Sequence, residues 1–146
     1  MERSHQHSTF DPQQMLGALS WVLLVAVMFG GETLLRMLST GQEMSAHEEQ
    51  FFRAGHGHAG VLSIIGILYS NYLGKTLLSA KAQVISWCLY ATGVFMLSGG
   101  MFLYAYTGES GSTSFGSWLT ATGGVVIAAT VLFLAWQLVR ARGGAK

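Results

Sequence analysis

The chain has 146 residues, of which 51% are hydrophobic and only 10% charged, with a formal net charge of +1. Soluble globular domains carry roughly 25% charged residues, so this composition argues against one, and the near-neutral charge offers no basic surface to nucleic acid. The length allows one domain. The single cysteine excludes an intrachain disulfide framework, and the single proline, Pro12, excludes a proline-rich linker.

The first ten residues are polar and read as a disordered tail, in which His5 and His7 offer at most a minor metal-binding chance. Four apolar stretches then follow at about 15–38, 51–73, 84–106 and 118–139. Each reaches the roughly 20 residues that a helix needs to cross the hydrocarbon core. The first is expected to be a retained helix and not a signal peptide. Only Arg3 precedes it, and Glu32 and Arg36 stand where a small-residue cleavage site belongs.

Local start signals extend these spans to helices at about 12–38, 46–73, 80–106 and 116–140. Asp11-Pro12 places an acceptor at the N-cap and proline at the first helical position. Ser45-Ala46-His47-Glu48 is a capping box, which starts the second helix ahead of its apolar part. Gly74 is a candidate stop for that helix. Ser79 is a candidate cap for the third, and the Gly/Ser/Thr run 108–117 forms the turn before the fourth. Cys88 lies inside the third apolar stretch as a small hydrophobe, a position that needs no chemistry. The expected fold is all-α, a four-transmembrane-helix bundle making one integral membrane domain.

With the N-terminus inside, the inner segments hold Arg3, Lys75, Lys81, Arg140, Arg142 and Lys146, and the outer ones only Arg36 and Arg53. Six against two predicts both termini on the cytoplasmic side of the inner membrane. The outer side gathers five of the seven acidic residues (Glu32, Glu43, Glu48, Glu49, Glu109) and three of the five histidines (His47, His56, His58). Ionisable groups within or beside a span tend to face the bundle interior and are functional candidates. Glu32 with Arg36, and Glu49 with Arg53, stand at the favourable i, i+4 spacing for structural ion pairs.

Two stripes of polar and small residues are expected to face other helices. One runs down the second helix through Glu49, Arg53, His56, Gly60, Ser63, Ile67 and Ser70. The other runs down the third through Ser86, Tyr90, Gly93, Leu97, Gly100 and Tyr104. His58 lies about 200° around from His56, so the two imidazoles cannot share a radius. His56 keeps Glu49, Arg53 and Ser63 on its face and is the stronger candidate for a ligand or proton-active group, with Glu49 or Glu32 as an acceptor for its other ring nitrogen. Gly55, Gly57 and Gly60 strip bulk from around the imidazoles, so a flat group such as haem could approach. A compact transition-metal ion would instead need His47, Glu49, His56 and Glu32 to converge.

Arg53-x-x-His56-x-His58, followed by Gly66-Ile67-Leu68-Tyr69, resembles the second helix of subunit I of haem-copper oxidases, and small four-helix membrane proteins related to it. The resemblance implies that His56 or His58 ligates a haem near the outer surface. It covers the second helix alone. The third and fourth helices contain no histidine, so a second axial ligand would be a methionine such as Met96 or Met101, a tyrosine, or a histidine from another subunit.

Three functions fit this reading: a haem- or metal-binding membrane protein with a redox, sensing or assembly role; a non-catalytic packing subunit of a larger membrane complex; and, more weakly, a proton or ion pathway through Glu32, Glu49 and His56. The expected partners are the lipid bilayer and either further copies of the chain or the subunits of a membrane complex.

Overall fold

The computed structural model describes residues 11–41, 43–109 and 111–143. The N-terminal tail with His5 and His7 lies outside them. The described residues form four α-helices and no strand: α1 (Pro12–Ser39), α2 (Ala46–Leu73), α3 (Ala80–Thr107) and α4 (Phe115–Gly143). At 1.5 Å per residue each is about 42 Å long. Helices α1, α3 and α4 are long and apolar enough to cross a membrane. Helix α2 is equally long, but Glu48, Glu49, Arg53 and three histidines dilute its first half.

The caps form as the sequence dictates. The Asp11 side chain accepts from the Gln13 N–H at 3.0 Å, with Pro12 opening α1. At Ser45 both halves of the capping box are made: the Glu48 N–H donates to Ser45 Oγ and the Ser45 N–H donates to the Glu48 carboxylate. Ser79 accepts from the Ala82 N–H. Gly74 does end α2, though its backbone stays right-handed (φ −73°); the chain leaves through Lys75 and Thr76 N–H bonds to the Tyr72 and Leu73 carbonyls. Left-handed backbone occurs at Gly41 (φ +69°) and Gly111 (φ +82°), in the turns after α1 and α3, where glycine alone carries no steric penalty.

Short turns make successive helices antiparallel neighbours. Both described chain ends therefore lie at one end of the bundle (the terminal end), and His47, His56 and His58 lie towards the other (the histidine end). Helix α2 packs between α1 and α3, and α4 packs on α3; α1 and α4 do not touch among the described residues. The α3–α4 seam is the closest contact, backbone against backbone. A Cβ added at Gly100 would lie 2.6 Å from Thr120 N and 2.8 Å from Gly116 O, and one at Gly116 would lie 2.6 Å from Tyr104 N. Gly93 and Gly123 repeat the arrangement one heptad away. Small residues at this spacing let van der Waals contact hold helices together where lipid supplies no hydrophobic drive.

The main core sits in the half of the bundle nearer the terminal end, in the cluster Leu16, Tyr69, Leu73, Trp87, Tyr90 and Leu134. Its polar atoms are paired across helices. Tyr69 Oη lies 2.7 Å from Ser86 Oγ and donates to the Thr130 carbonyl at 3.2 Å, joining α2, α3 and α4. Tyr90 Oη donates to the Leu62 carbonyl at 2.7 Å, and Trp87 Nε1 donates to Ser20 Oγ at 3.2 Å, tying α3 to α1. Above that last bond α1 and α3 part.

Candidate functional site

The gap between α1 and α3 in the half nearer the histidine end is a cleft of about 530 Å³, floored by α2. That volume falls within the roughly 300–1,000 Å³ of small-molecule sites. Its walls are apolar: Leu23, Val27 and Leu34 from α1, Phe95 and Phe102 from α3, and Phe52 from α2, with Met37 and Tyr106 also lining it. Gly30 and Gly99 face each other's helices across it, and a Cβ on either would meet nothing within 4 Å.

Among its polar side chains, Thr33 and Ser63 are satisfied by their own helices, donating to the Phe29 and Ala59 carbonyls at 3.0 and 2.7 Å. Two others are not. Ser98 is only 5% exposed, and its hydroxyl has no hydrogen-bond partner among the described residues. His56 is half-buried, and neither ring nitrogen is bonded to another described residue. An unpaired polar group in an apolar surround costs on the order of 1–3 kcal/mol; the Ser98 oxygen bears that cost closed off from the cleft, whereas the half-buried imidazole of His56 is the polar group left to meet a partner there.

The sequence-derived stripe on α2 faces protein over most of its length. His56 packs on Gly31 of α1, Gly60 comes within 3.8 Å of Val27 Cγ1 for an added Cβ, and Ser70 lies under Gly17. Ser63 and Ser70 are buried. The stripe on α3 behaves likewise: Ser86, Tyr90, Gly93, Gly100 and Tyr104 are all buried. Glu49 and Arg53, at the top of the α2 stripe, form an exposed ion pair at 2.6 Å, and Glu32 pairs with Arg36, also exposed. Such surface pairs contribute about 0–1 kcal/mol.

The two central histidines are separated as the helical geometry requires. His58 is exposed, and its Nδ1 donates to the Ala54 carbonyl one turn back at 2.8 Å. His47 points to neither of them. Its Nε2 donates to the Tyr104 carbonyl at 3.2 Å, and its ring packs against Phe51 and Tyr104, pinning the start of α2 to the end of α3. Beside it, the Ser45 N–H and then the Ser45 hydroxyl hold the Glu48 carboxyl below its usual value.

The four residues considered for a compact metal site, His47, Glu49, His56 and Glu32, are not brought together. Among the described residues no three His, Cys, Asp or Glu side chains converge. Neither Glu49 nor Glu32 serves His56; each is taken by the arginine one turn on. The requirements of a haem are met only in part. His56 lies beside an apolar cleft, but its Cε1–Nε2 edge is applied to Gly31, where an added Cβ would be 2.6 Å from both atoms. An axial ligand needs open space before that nitrogen, and in this conformation α1 fills it. Met96 and Met101 do not line the cleft; Met37 does.

Sequence reasoning missed Gly31, Ser98 and the two open glycines. The signals were Gly30-Gly31 inside an apolar span and the run Ser98-Gly99-Gly100 in the third. Comparison with known protein families, with characterised proteins and with solved structures finds no match.

Proposed function

We propose that this chain is an integral membrane protein that binds a lipophilic small molecule in the cleft between α1, α2 and α3, reading one carbonyl or hydroxyl group of it with His56. The observation that carries this reading is an imidazole without a partner among the described residues at the wall of one apolar cavity. With its Nε2 edge against Gly31, the neutral imidazole keeps Nδ1, a donor or an acceptor according to the tautomer. Apolar walls with a few placed polar groups are the usual makeup of such a site. Helix α2 crosses the membrane with the others, because short turns join it to α1 and α3 and it runs antiparallel beside both. The Lys and Arg distribution supports both termini on the cytoplasmic side of the inner membrane, an orientation that sets the cleft in the outer half of the bilayer.

A short-chain benzoquinone, an apolar molecule with two carbonyls, is a direct probe. Its binding to the detergent-purified chain should quench Trp fluorescence saturably. His56→Ala should weaken it about tenfold, the equivalent of one charge-neutral hydrogen bond of about 1.4 kcal/mol. Gly99→Leu, which puts bulk into open space, should abolish it with the fold intact. No saturable binding, or binding indifferent to both variants, rejects the reading.

Haem is the second reading, favoured by the free imidazole of His56 at the cleft wall. It requires the ring to leave Gly31. A Soret band in the purified protein that is lost in His56→Ala and retained in His58→Ala would establish it in place of the first.

A further inference from the structure

A second cavity lies at the terminal end, and its chemistry differs from that of the cleft. It has a volume of about 680 Å³, and its lining comes from Tyr72 and Lys75 at the end of α2 and from Ala135, Leu138, Val139 and Arg142 on α4. The floor is aliphatic and the rim carries two cations from different parts of the chain. Both cations are exposed, and neither is in an ion pair with a described residue. That contrasts with the histidine end, where Arg36 and Arg53 are each neutralised by a glutamate one turn earlier. The Lys75 ammonium is also held in place, 4.6 Å from the centroid of the Tyr72 ring. Elsewhere on α4 the Arg140 guanidinium lies 4.8 Å from the Trp136 ring, outside the cavity lining.

We infer that this groove holds one anionic phospholipid, its phosphate and acidic headgroup against Lys75 and Arg142 and the first part of an acyl chain along Ala135, Leu138 and Val139. An amphiphile with a negative head and an apolar tail matches a groove with a cationic rim and an aliphatic floor. Tyr72, one turn before Lys75 at the cavity lining, suits the headgroup layer, where amphipathic rings settle. Basic pockets between membrane helices are recognised sites for such headgroups. A zwitterionic lipid offers the same tail but cancels its phosphate charge with its own ammonium, so the two cations should discriminate against it.

The test uses the full-length protein in neutral detergent with equimolar phosphatidylglycerol and phosphatidylcholine, with the retained lipid counted by native mass spectrometry. One phosphatidylglycerol per chain is expected. A charge near the surface contributes about a factor of five per cation, so Lys75→Ala/Arg142→Ala should lower the preference for the anionic lipid by roughly twenty-five-fold. The double variant Arg36→Ala/Arg53→Ala removes the same charge from the other end and should leave the preference unchanged. Equal loss in both double variants would mean a response to net charge and would overturn the site. So would an undiminished preference in the groove variant, or displacement of the lipid by millimolar inorganic phosphate, which would assign the rim to a free anion. Substitutions at such exposed positions should leave the helix content intact, checked by circular dichroism.

Discussion

Gly100→Ala should damage the bundle, whereas Gly60→Ala should not. At Gly100 the new methyl would meet Thr120 N at 2.6 Å and Gly116 O at 2.8 Å. Both are backbone atoms, and alanine has no rotamer with which to avoid them. Favourable contact lies at about 3.5–4.0 Å, so α3 and α4 would have to part by about 1 Å along their tightest stretch. Overpacking of this kind costs typically 1–3 kcal/mol, and the higher helix propensity of alanine returns at most about 1 kcal/mol. With that full return the expected net loss is about 0–2 kcal/mol. At Gly60 the methyl would sit 3.8 Å from Val27 Cγ1, an ordinary contact, so only the propensity gain remains and the variant should be neutral or more stable by up to about 1 kcal/mol. Equilibrium unfolding of the two variants in mixed detergent micelles, followed by helical circular dichroism, compares them directly. Equal stability of the two would refute backbone contact between α3 and α4.

Cysteine labelling checks the orientation: in a Cys88→Ala background, Glu43→Cys should react with an impermeant maleimide from outside intact cells, and Leu77→Cys only after the membrane is opened; the reverse order would invert the topology. Tyr69→Phe should cost about 1–3 kcal/mol, because it strands the buried Ser86 hydroxyl. Tyr90→Phe should cost about 1 kcal/mol, since the Leu62 carbonyl keeps its place in the helix ladder; equal costs would argue against the Tyr69–Ser86–Thr130 link. For Glu48, the folded-state carboxyl titrates below its usual value of about 4.5, held first by the Ser45 N–H. A depressed acid stabilises the fold above its unfolded value and loses that contribution as the pH falls through the folded one. The stability gap between the wild type and Glu48→Ala should accordingly be full near neutral pH and close in acid below about 4.5; a gap independent of pH would remove the charge from the capping box.

What the sequence discloses here is mostly local or periodic. Asp11, Ser45 and Ser79 announce their helices because a cap depends on residues two or three positions away. The buried faces of α2 and α3 are legible because polar and small residues recur at helical spacing in otherwise lipid-compatible segments. The matching face of α4 was equally present, in Gly116, Thr120, Gly123, Ile127 and Thr130, but Thr122, Gly124, Ala128 and Ala129 put small residues on its other faces too, so no one face stands out. The site was harder. That His56 and His58 diverge follows from 100° per residue, but which partner meets His56 depends on how α1 and α2 align, and Gly31 lies 25 positions earlier in the chain. The fate of Glu32 and Glu49 was half legible: their i, i+4 arginines were visible, and once those ion pairs form neither carboxylate is left to serve an imidazole.

The cleft and the seam are made from the same residue used in opposite ways. Between α3 and α4, Gly93, Gly100, Gly116 and Gly123 remove side chains so that two backbones meet, and the contact leaves no space. Between α1 and α3, Gly30 and Gly99 remove side chains at a level where the two helices stand apart, and the space remains. What keeps the second pair apart is α2 between them, held against α3 by Gly55 under Phe102 and against α1 by His56 on Gly31. At the other half of the bundle the Trp87–Ser20 bond draws α1 and α3 together. Helix α1 is thus fixed to α3 at one end and propped away from it at the other by an imidazole. The side chain that borders the cleft is therefore also one of the wedges that keep it open, and truncating it should alter both the polar contacts at the cleft wall and the width of the space.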